Sequence, residues 1–212
     1  MVQPIQIDKL TLHEVEQIFN MQEVNSPLFF REWQGELPAL QDGERQQLDR
    51  VREDFRYLAK HPLREEMVKL VVLSPLLSHA GMFRAPFLPG TEHQIEVAVP
   101  DGEERVRGRI DLLVLHENLW VTVIEAKQPN ISVLKALPQA LFYMMSSPNL
   151  DKPSFGLVMN GIEFLFLKVL QQPSPQYALS EPFSLLRHDN DLYTILGILR
   201  RLGALVTQAE VA

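Results

Sequence analysis

The run Arg109-Ile110-Asp111-Leu112-Leu113-Val114-Leu115, the break His116-Glu117-Asn118 and the run Leu119-Trp120-Val121-Thr122-Val123-Ile124-Glu125-Ala126-Lys127 decide how this chain is read. Both runs are of strand length and rich in Val, Ile and Leu, and the polar break between them predicts two adjacent strands. Side chains alternate faces along a strand, so Glu125 and Lys127 share a face and Ala126 points the other way. If the strands pair around residues 116–118, Asp111 lies near Glu125. Two carboxylates and an ammonium then meet at the end of an otherwise apolar sheet, a cluster costly to build without a use.

Metal-assisted phosphodiester hydrolysis needs such a cluster. Mg²⁺ takes oxygen ligands, commonly one or two carboxylates with waters and phosphate oxygens, and Mn²⁺ suits the same donors. Asp111 and Glu125 can supply the carboxylates, and the backbone carbonyl of Ala126 can face the same ion. Lys127 can hold the attacking water and stabilise charge growing on the phosphate. The plainer alternative is a solvated Glu125–Lys127 ion pair, with Asp111 merely ending its strand. Glu-x-Lys alone is common; Asp, an apolar strand and then Glu-x-Lys, in that order, is rarer and favours a site.

With these residues the sequence resembles the PD-(D/E)xK nuclease superfamily. Within it, the chain looks most like the nuclease domain at the N-terminus of type I restriction enzyme R (motor) subunits. The resemblance rests on Gly108-Arg109-Ile110-Asp111, on Glu125-Ala126-Lys127-Gln128 and on Gln139-Ala140-Leu141-Phe142-Tyr143, and covers roughly residues 63–170. The last element matches a Gln-x-x-x-Tyr that follows Glu-x-Lys in that family. The superfamily's name-giving Pro is replaced by Ile110. The resemblance implies a restriction-endonuclease-like α/β fold, a Mg- or Mn-dependent cut in DNA, and catalytic Asp111, Glu125, Lys127, Gln139 and Tyr143.

The same resemblance draws in a glutamate from the helix before the first strand. Glu66 is the choice, at the edge of an apolar face containing Met67 and Leu70; a solvated helix glutamate is the alternative. Gln139 and Tyr143 stand four apart, one face of a helix, and the resemblance implies that this face supports the site or touches the nucleic-acid backbone. Leu134, Leu137, Leu141 and Met145 recur at helical spacing and read equally as a core face. Pro138 predicts either a kink or a new helix carrying the proline in its first turn. Arg105, Arg107 and Arg109 alternate along the strand of Asp111 and are expected on its face. Arg107 and Arg109 can hold phosphates there, or the three can form a solvated face beside Glu103 and Glu104.

Composition sets outer limits. At 212 residues, one domain with an extension is expected, large enough for a sizeable core. The apolar fraction of 46% with 22% charged residues is ordinary for a globular protein. No apolar run reaches membrane-span length, and no signal peptide is expected at the N-terminus. The lack of cysteine excludes disulfides and thiolate metal sites and fits a cytoplasmic protein. The histidines show no ligand spacing, so no zinc site is expected. No Gly-x-x-x-x-Gly-Lys occurs, so no motor is expected in these residues. The net charge of −7 opposes nonspecific nucleic-acid binding unless the cleft is locally basic.

Outside the central pair, Thr11-Leu12-His13-Glu14 predicts a capping box, and residues 20–37 a loop packed on the body or an exposed contact surface. Leu48, Val51, Phe55 and Leu58 mark an amphipathic helix. The next helix starts near Pro62, with Leu63, Met67, Leu70 and Val71 expected inside and Gly81 as terminator. Ile95, Val97 and Val99 alternate with Glu92, Gln94 and Glu96, and Pro100-Asp101-Gly102 signals a turn. Asn160-Gly161 predicts a hairpin between residues 155–159 and 162–170, residues 171–175 a loop, and residues 191–205 a final helix. The order suits a mixed sheet flanked by helices, divided as an N-terminal extension 1–42, a nuclease-like domain 43–205 with core 63–170, and a tail 206–212.

Two function classes follow: a Mg-dependent deoxyribonuclease, or a noncatalytic module of the same fold that recruits or regulates a separate DNA motor. DNA is the expected partner in the first. A separate motor or specificity subunit, or a homodimer, also fits; a membrane does not.

Overall fold

A computed structural model of the chain describes residues 5–98, 105–116 and 119–208. A short strand β1 (Ile5–Gln6) leads to helix α1 (Leu12–Phe19). The Thr11 hydroxyl accepts from the Glu14 amide at 3.3 Å, and the Glu14 carboxylate accepts from the Thr11 amide at 2.7 Å, so the expected capping box forms. Strand β2 (Gln22–Glu23) and a 3-10 stretch (Pro27–Trp33) precede α2 (Asp42–Leu58), which buries Leu48, Val51 and Phe55 as its spacing predicts. Next comes one helical run: α3 (Glu65–Val68), a π-helical turn (Lys69–Leu73) and α4 (Ser74–His79).

Strands β3 (Phe87–Ala98), β4 (Arg105–His116) and β5 (Leu119–Ala126) form the central antiparallel set. A 3-10 turn (Val133–Ala136) then enters α5 (Leu137–Met145) with Pro138 in its first turn. Of the two expectations for Pro138, the new helix holds, because the missing N–H is unneeded there. The chain ends through β6 (Ser154–Met159), β7 (Glu163–Leu170), β8 (Gln176–Leu179), β9 (Phe183–Ser184) and α6 (Leu192–Gln208). Gly161 turns the β6–β7 hairpin at φ 85°, and the Asn160 carboxamide accepts from the amides of Ile162 and Glu163.

The strands make one mixed sheet in the order β1-β4-β5-β6-β7-β8-β2, with β3 also on β4 and β9 on β7. The step from β5 to β6 is parallel, and α5 makes the crossover. Helices cover both faces. Helices α2, α4 and α6 pack on Leu112, Val114, Ile124, Phe155 and Phe166, while α1 and α5 pack on Val106, Ile110, Leu113, Val158 and Leu167. This is the expected architecture, a mixed sheet between helical layers.

Several expectations need correction. In the α3–α4 run the buried set is Val68, Val72, Leu73, Leu76 and Leu77, whereas Met67 and Leu70 are exposed. Two apolar stripes compete in that sequence, and the π turn adds a residue to one turn, which brings Val72 and Leu73 in together. Leu134 is exposed because it lies in the 3-10 turn before α5, although Leu137 and Leu141 are buried. Strand β3 starts at Phe87, well before the alternating residues that signal it. The segment before Gly43 also enters the sheet: β1 pairs with β4, and β2 with β8, both parallel. Within that segment Phe30 is buried, Trp33 lies 5.5 Å from the Phe166 ring, and Glu32 pairs with buried Lys168 at 2.5 Å, so residues 27–33 pack on the body. Val99, the turn at residues 100–102, Glu103, Glu104, and Glu117 and Asn118 of the break lie outside the described residues.

Candidate active site

The register that sets Leu112 opposite Ile124 puts Asp111 across from Glu125. The two carboxylates bind crosswise to each other's strand. The Asp111 amide donates to Glu125 Oε1 at 3.2 Å, and the Ala126 amide donates to Asp111 Oδ2 at 2.9 Å. On its other side Asp111 faces Glu92, which has a φ of 55°, and that position drops out of the β3–β4 ladder. The facing of β4 changes phase here: Val106 and Ile110 pack toward α5, but Leu112 and Val114 pack toward α2 and α6. Asp111 therefore stands at the junction of the two layers rather than simply continuing the Arg105, Arg107, Arg109 face. An irregular strand position of this kind re-aims a side chain.

Glu125 is fully buried, and among the described residues its Oε2 has no hydrogen-bond partner. Burial pushes its carboxyl well above the ordinary 4.5, and the neighbouring Asp111 charge pushes the same way; Lys127, the Asp111 amide and Lys69 pull against them. Lys127 Nζ lies 3.8 Å from that orphan oxygen. The same ammonium donates to Gln139 Oε1 at 3.2 Å, and Gln139 Nε2 donates to the Tyr143 hydroxyl at 3.2 Å. Tyr143 is itself buried, and burial, followed by the Glu125 charge, pushes its hydroxyl up. A Cβ on Gly108 would lie 2.5 Å from the Tyr143 oxygen and from Ile7 Cγ2, so the tyrosine reaches β4 only because residue 108 is glycine. Asp111, Glu125, Lys127, Gln139 and Tyr143 thus form one connected group.

Two further residues join that group: Lys69, which no sequence signal marks, and Glu65, the neighbour of the expected Glu66. Lys69 Nζ lies 2.9 Å from Asp111 Oδ1 and 2.8 Å from Glu65, its neighbour one turn earlier. Burial pushes the Lys69 ammonium down, but its bonds to Glu65 and Asp111 outweigh this and hold it above its ordinary value. The helix glutamate tied to the cluster is therefore Glu65. Glu66 is exposed, and the apolar edge expected beside it, Met67 and Leu70, is exposed as well. Glu65-x-x-x-Lys69 is a common helical ion pair, so only its distance to Asp111 distinguishes it.

Arg105 and Arg107 pair with Glu96 at 2.8 and 3.1 Å, and Arg109 with Glu92 at 3.4 Å, across β3 and β4. All three side chains are more than half exposed. A cleft beside this face is lined by Arg107, Arg109, Gln94, Asp111 and Gln139, with Asp8 among them.

The donor set suits a hard divalent cation: two carboxylates meet where β5 ends beside β4, and one buried oxygen of Glu125 has no hydrogen-bond partner among the described residues. Among the described residues no three His, Cys, Asp or Glu side chains converge as ligands, so waters and substrate oxygens would have to complete the shell. Ala126 places its amide on Asp111 and its methyl in the core. Among the described residues no helix is long and apolar enough to cross a membrane.

No family model and no curated protein matches the chain. Among solved structures it is similar to a fragment assigned as an HsdR subunit of a type I restriction enzyme from Vibrio vulnificus YJ016, at 21% identity and a TM-score of 0.42. The likeness covers 68% of this chain and 26% of that one, so the chain spans about a quarter of its neighbour's length. At this level the likeness decides neither fold nor activity.

Proposed function

We propose that this chain is a Mg- or Mn-dependent deoxyribonuclease of the PD-(D/E)xK type. The observation that carries the reading is the buried, unpartnered Oε2 of Glu125, beside Asp111 and 3.8 Å from Lys127. A buried carboxylate oxygen offset only by an ammonium 3.8 Å away is costly to ionise, and a divalent cation bound to it would offset that cost. Asp111 and Glu125, with the Ala126 carbonyl, would hold the metal. A metal held by these groups would contribute Lewis acidity and lower the pKa of a water. Lys127, steadied by Gln139, orients that water and offsets charge on the phosphate. Arg107 and Arg109 line the approach and hold flanking phosphates, which offers DNA a basic strip on an acidic protein.

A second reading, a noncatalytic module that serves a separate motor or specificity subunit, draws on the ion pair between Lys69 and Asp111, which already neutralises that carboxylate. Incubation of the purified protein with plasmid, single-stranded and branched DNA, with and without Mn²⁺, separates the two. The nuclease reading expects Mn²⁺-dependent cleavage that disappears in Asp111→Asn and Glu125→Gln. It also expects Lys127→Ala to lose cleavage and keep metal binding. Absence of cleavage together with absence of Asp111-dependent Mn²⁺ binding would favour the module.

A further inference from the structure

The ammonium of Lys69 sits on the carboxylate that the proposed metal needs. Asp111 Oδ2 accepts from the Ala126 amide, and Asp111 Oδ1 carries Lys69 at 2.9 Å. A cation bound to that oxygen at about 2.1 Å would lie close to Lys69 and repel it. Lys69 also has somewhere to go. Glu65 holds it at 2.8 Å from one helical turn away on the same run, so release from Asp111 leaves it paired. The anchoring turn is the π-helical segment that begins at Lys69, a local irregularity of the kind found at functional positions.

We propose that Lys69 is a resident counter-cation that competes with the divalent metal for Asp111, with Glu65 as the site to which it withdraws. The inference rests on the reading of Asp111 and Glu125 as metal ligands. In the metal-free protein Lys69 offsets the paired carboxylates and keeps the strand ends together. When metal enters, the Lys69–Asp111 contact breaks and the Lys69–Glu65 contact remains. Metal loading is then an exchange of cations, weaker than the two carboxylates alone would allow, and Lys69 sets its threshold.

Mn²⁺ alone, titrated into the full chain without DNA and followed by the electron paramagnetic resonance signal of free Mn²⁺, tests this. Lys69→Met should bind Mn²⁺ more tightly than wild type, by about two- to fivefold, the factor a partly exposed ion pair commonly represents. Glu65→Gln should bind it more weakly, because Lys69 then has only Asp111. Asp111→Asn should lose the site in either background. If Lys69→Met binds Mn²⁺ no more tightly while Asp111→Asn still abolishes binding, the exchange is refuted and the metal reading stands. If neither wild type nor Lys69→Met shows Asp111-dependent binding, both fail. A measurement on the unaltered protein covers a variant that does not fold: acetylation of Lys69, read by mass spectrometry, should rise on adding Mn²⁺. Unchanged or reduced labelling would overturn the proposal.

Discussion

Lys127 donates its ammonium proton to Gln139 across 3.2 Å, joining the end of β5 to the first turn of α5. A lysine has four rotatable bonds and little reason to hold one orientation by itself. Gln139 supplies that reason, and Tyr143 in turn holds the Gln139 amide from one helical turn later. The Gln-x-x-x-Tyr spacing thus links Lys127 to α5, and under the proposed function that link would brace the Lys127 ammonium.

Gln139→Leu should therefore lower single-turnover cleavage by roughly tenfold or more, as loosening a group that orients a reacting side chain does. Mn²⁺ affinity should stay within about twofold of wild type, since the side chain of Gln139 hydrogen-bonds Lys127 and Tyr143. Equal loss of affinity and rate would assign Gln139 to the metal instead.

Gly108→Ala tests the close approach of Tyr143 to the sheet. The added methyl meets the hydroxyl and Ile7 at 2.5 Å. Overpacking of this kind costs about 1–3 kcal/mol, and each kcal/mol lowers the Tm of a domain this size by roughly 2–4 °C. Tyr143→Phe in the same chain removes one of those contacts and should recover part of the loss, measured by urea titration. A Gly108→Ala protein as stable as wild type would show that β4 and α5 yield easily here.

The buried Glu125 predicts a pH dependence. Its carboxyl favours the proton in the folded protein, by burial first and then by the Asp111 charge. The resulting stabilisation is full below the ordinary 4.5 and is lost as pH rises through the raised folded value. Glu125→Gln stays neutral, so its metal-free Tm should overtake that of wild type as pH rises above that range. Mn²⁺ affinity of wild type should increase over the same range, because the ion displaces that proton. Parallel Tm curves for the two proteins would mean that Glu125 ionises freely.

Arg107→Ala and Arg109→Ala should each weaken DNA binding alike for all sequences and flatten the salt dependence by about 0.9 in log–log slope. Glu92 and Glu96 already pair with these arginines, but exposed ion pairs exchange readily for phosphate. Fluorescence anisotropy across a salt series, with Ca²⁺ to block turnover, measures it. An unchanged slope in the double variant would make this a solvated strand face.

Local chemistry made much of the fold legible. The capping box at Thr11, the Asn160-Gly161 turn, the final helix expected over residues 191–205, and the two apolar runs around residues 116–118 each depend on neighbours in the chain. The sequence also brings Asp111 and Glu125 to neighbouring strands, but their direct opposition depends on a one-residue register shift between Val114 and Leu115 that alternation does not reveal. The stripe of Met67 and Leu70 misled because a π turn shifts helical phase without marking the sequence. The two-residue strands β1 and β2 carry too few side chains to show any period.

The sequence by itself determined that β4 and β5 are adjacent strands, that Asp111 lies on one and Glu125 and Lys127 at the end of the other, and that Gln139 and Tyr143 share a helical face. All of these are short-range consequences of side-chain pattern. Only the tertiary structure decided that Glu125 is buried with an unpartnered oxygen, that Gln139 reaches Lys127, that Gly108 admits Tyr143, and that Lys69 from a distant helix lies on Asp111. Those facts depend on how two helical layers close over the sheet, and no local pattern encodes the distance between one layer and the other.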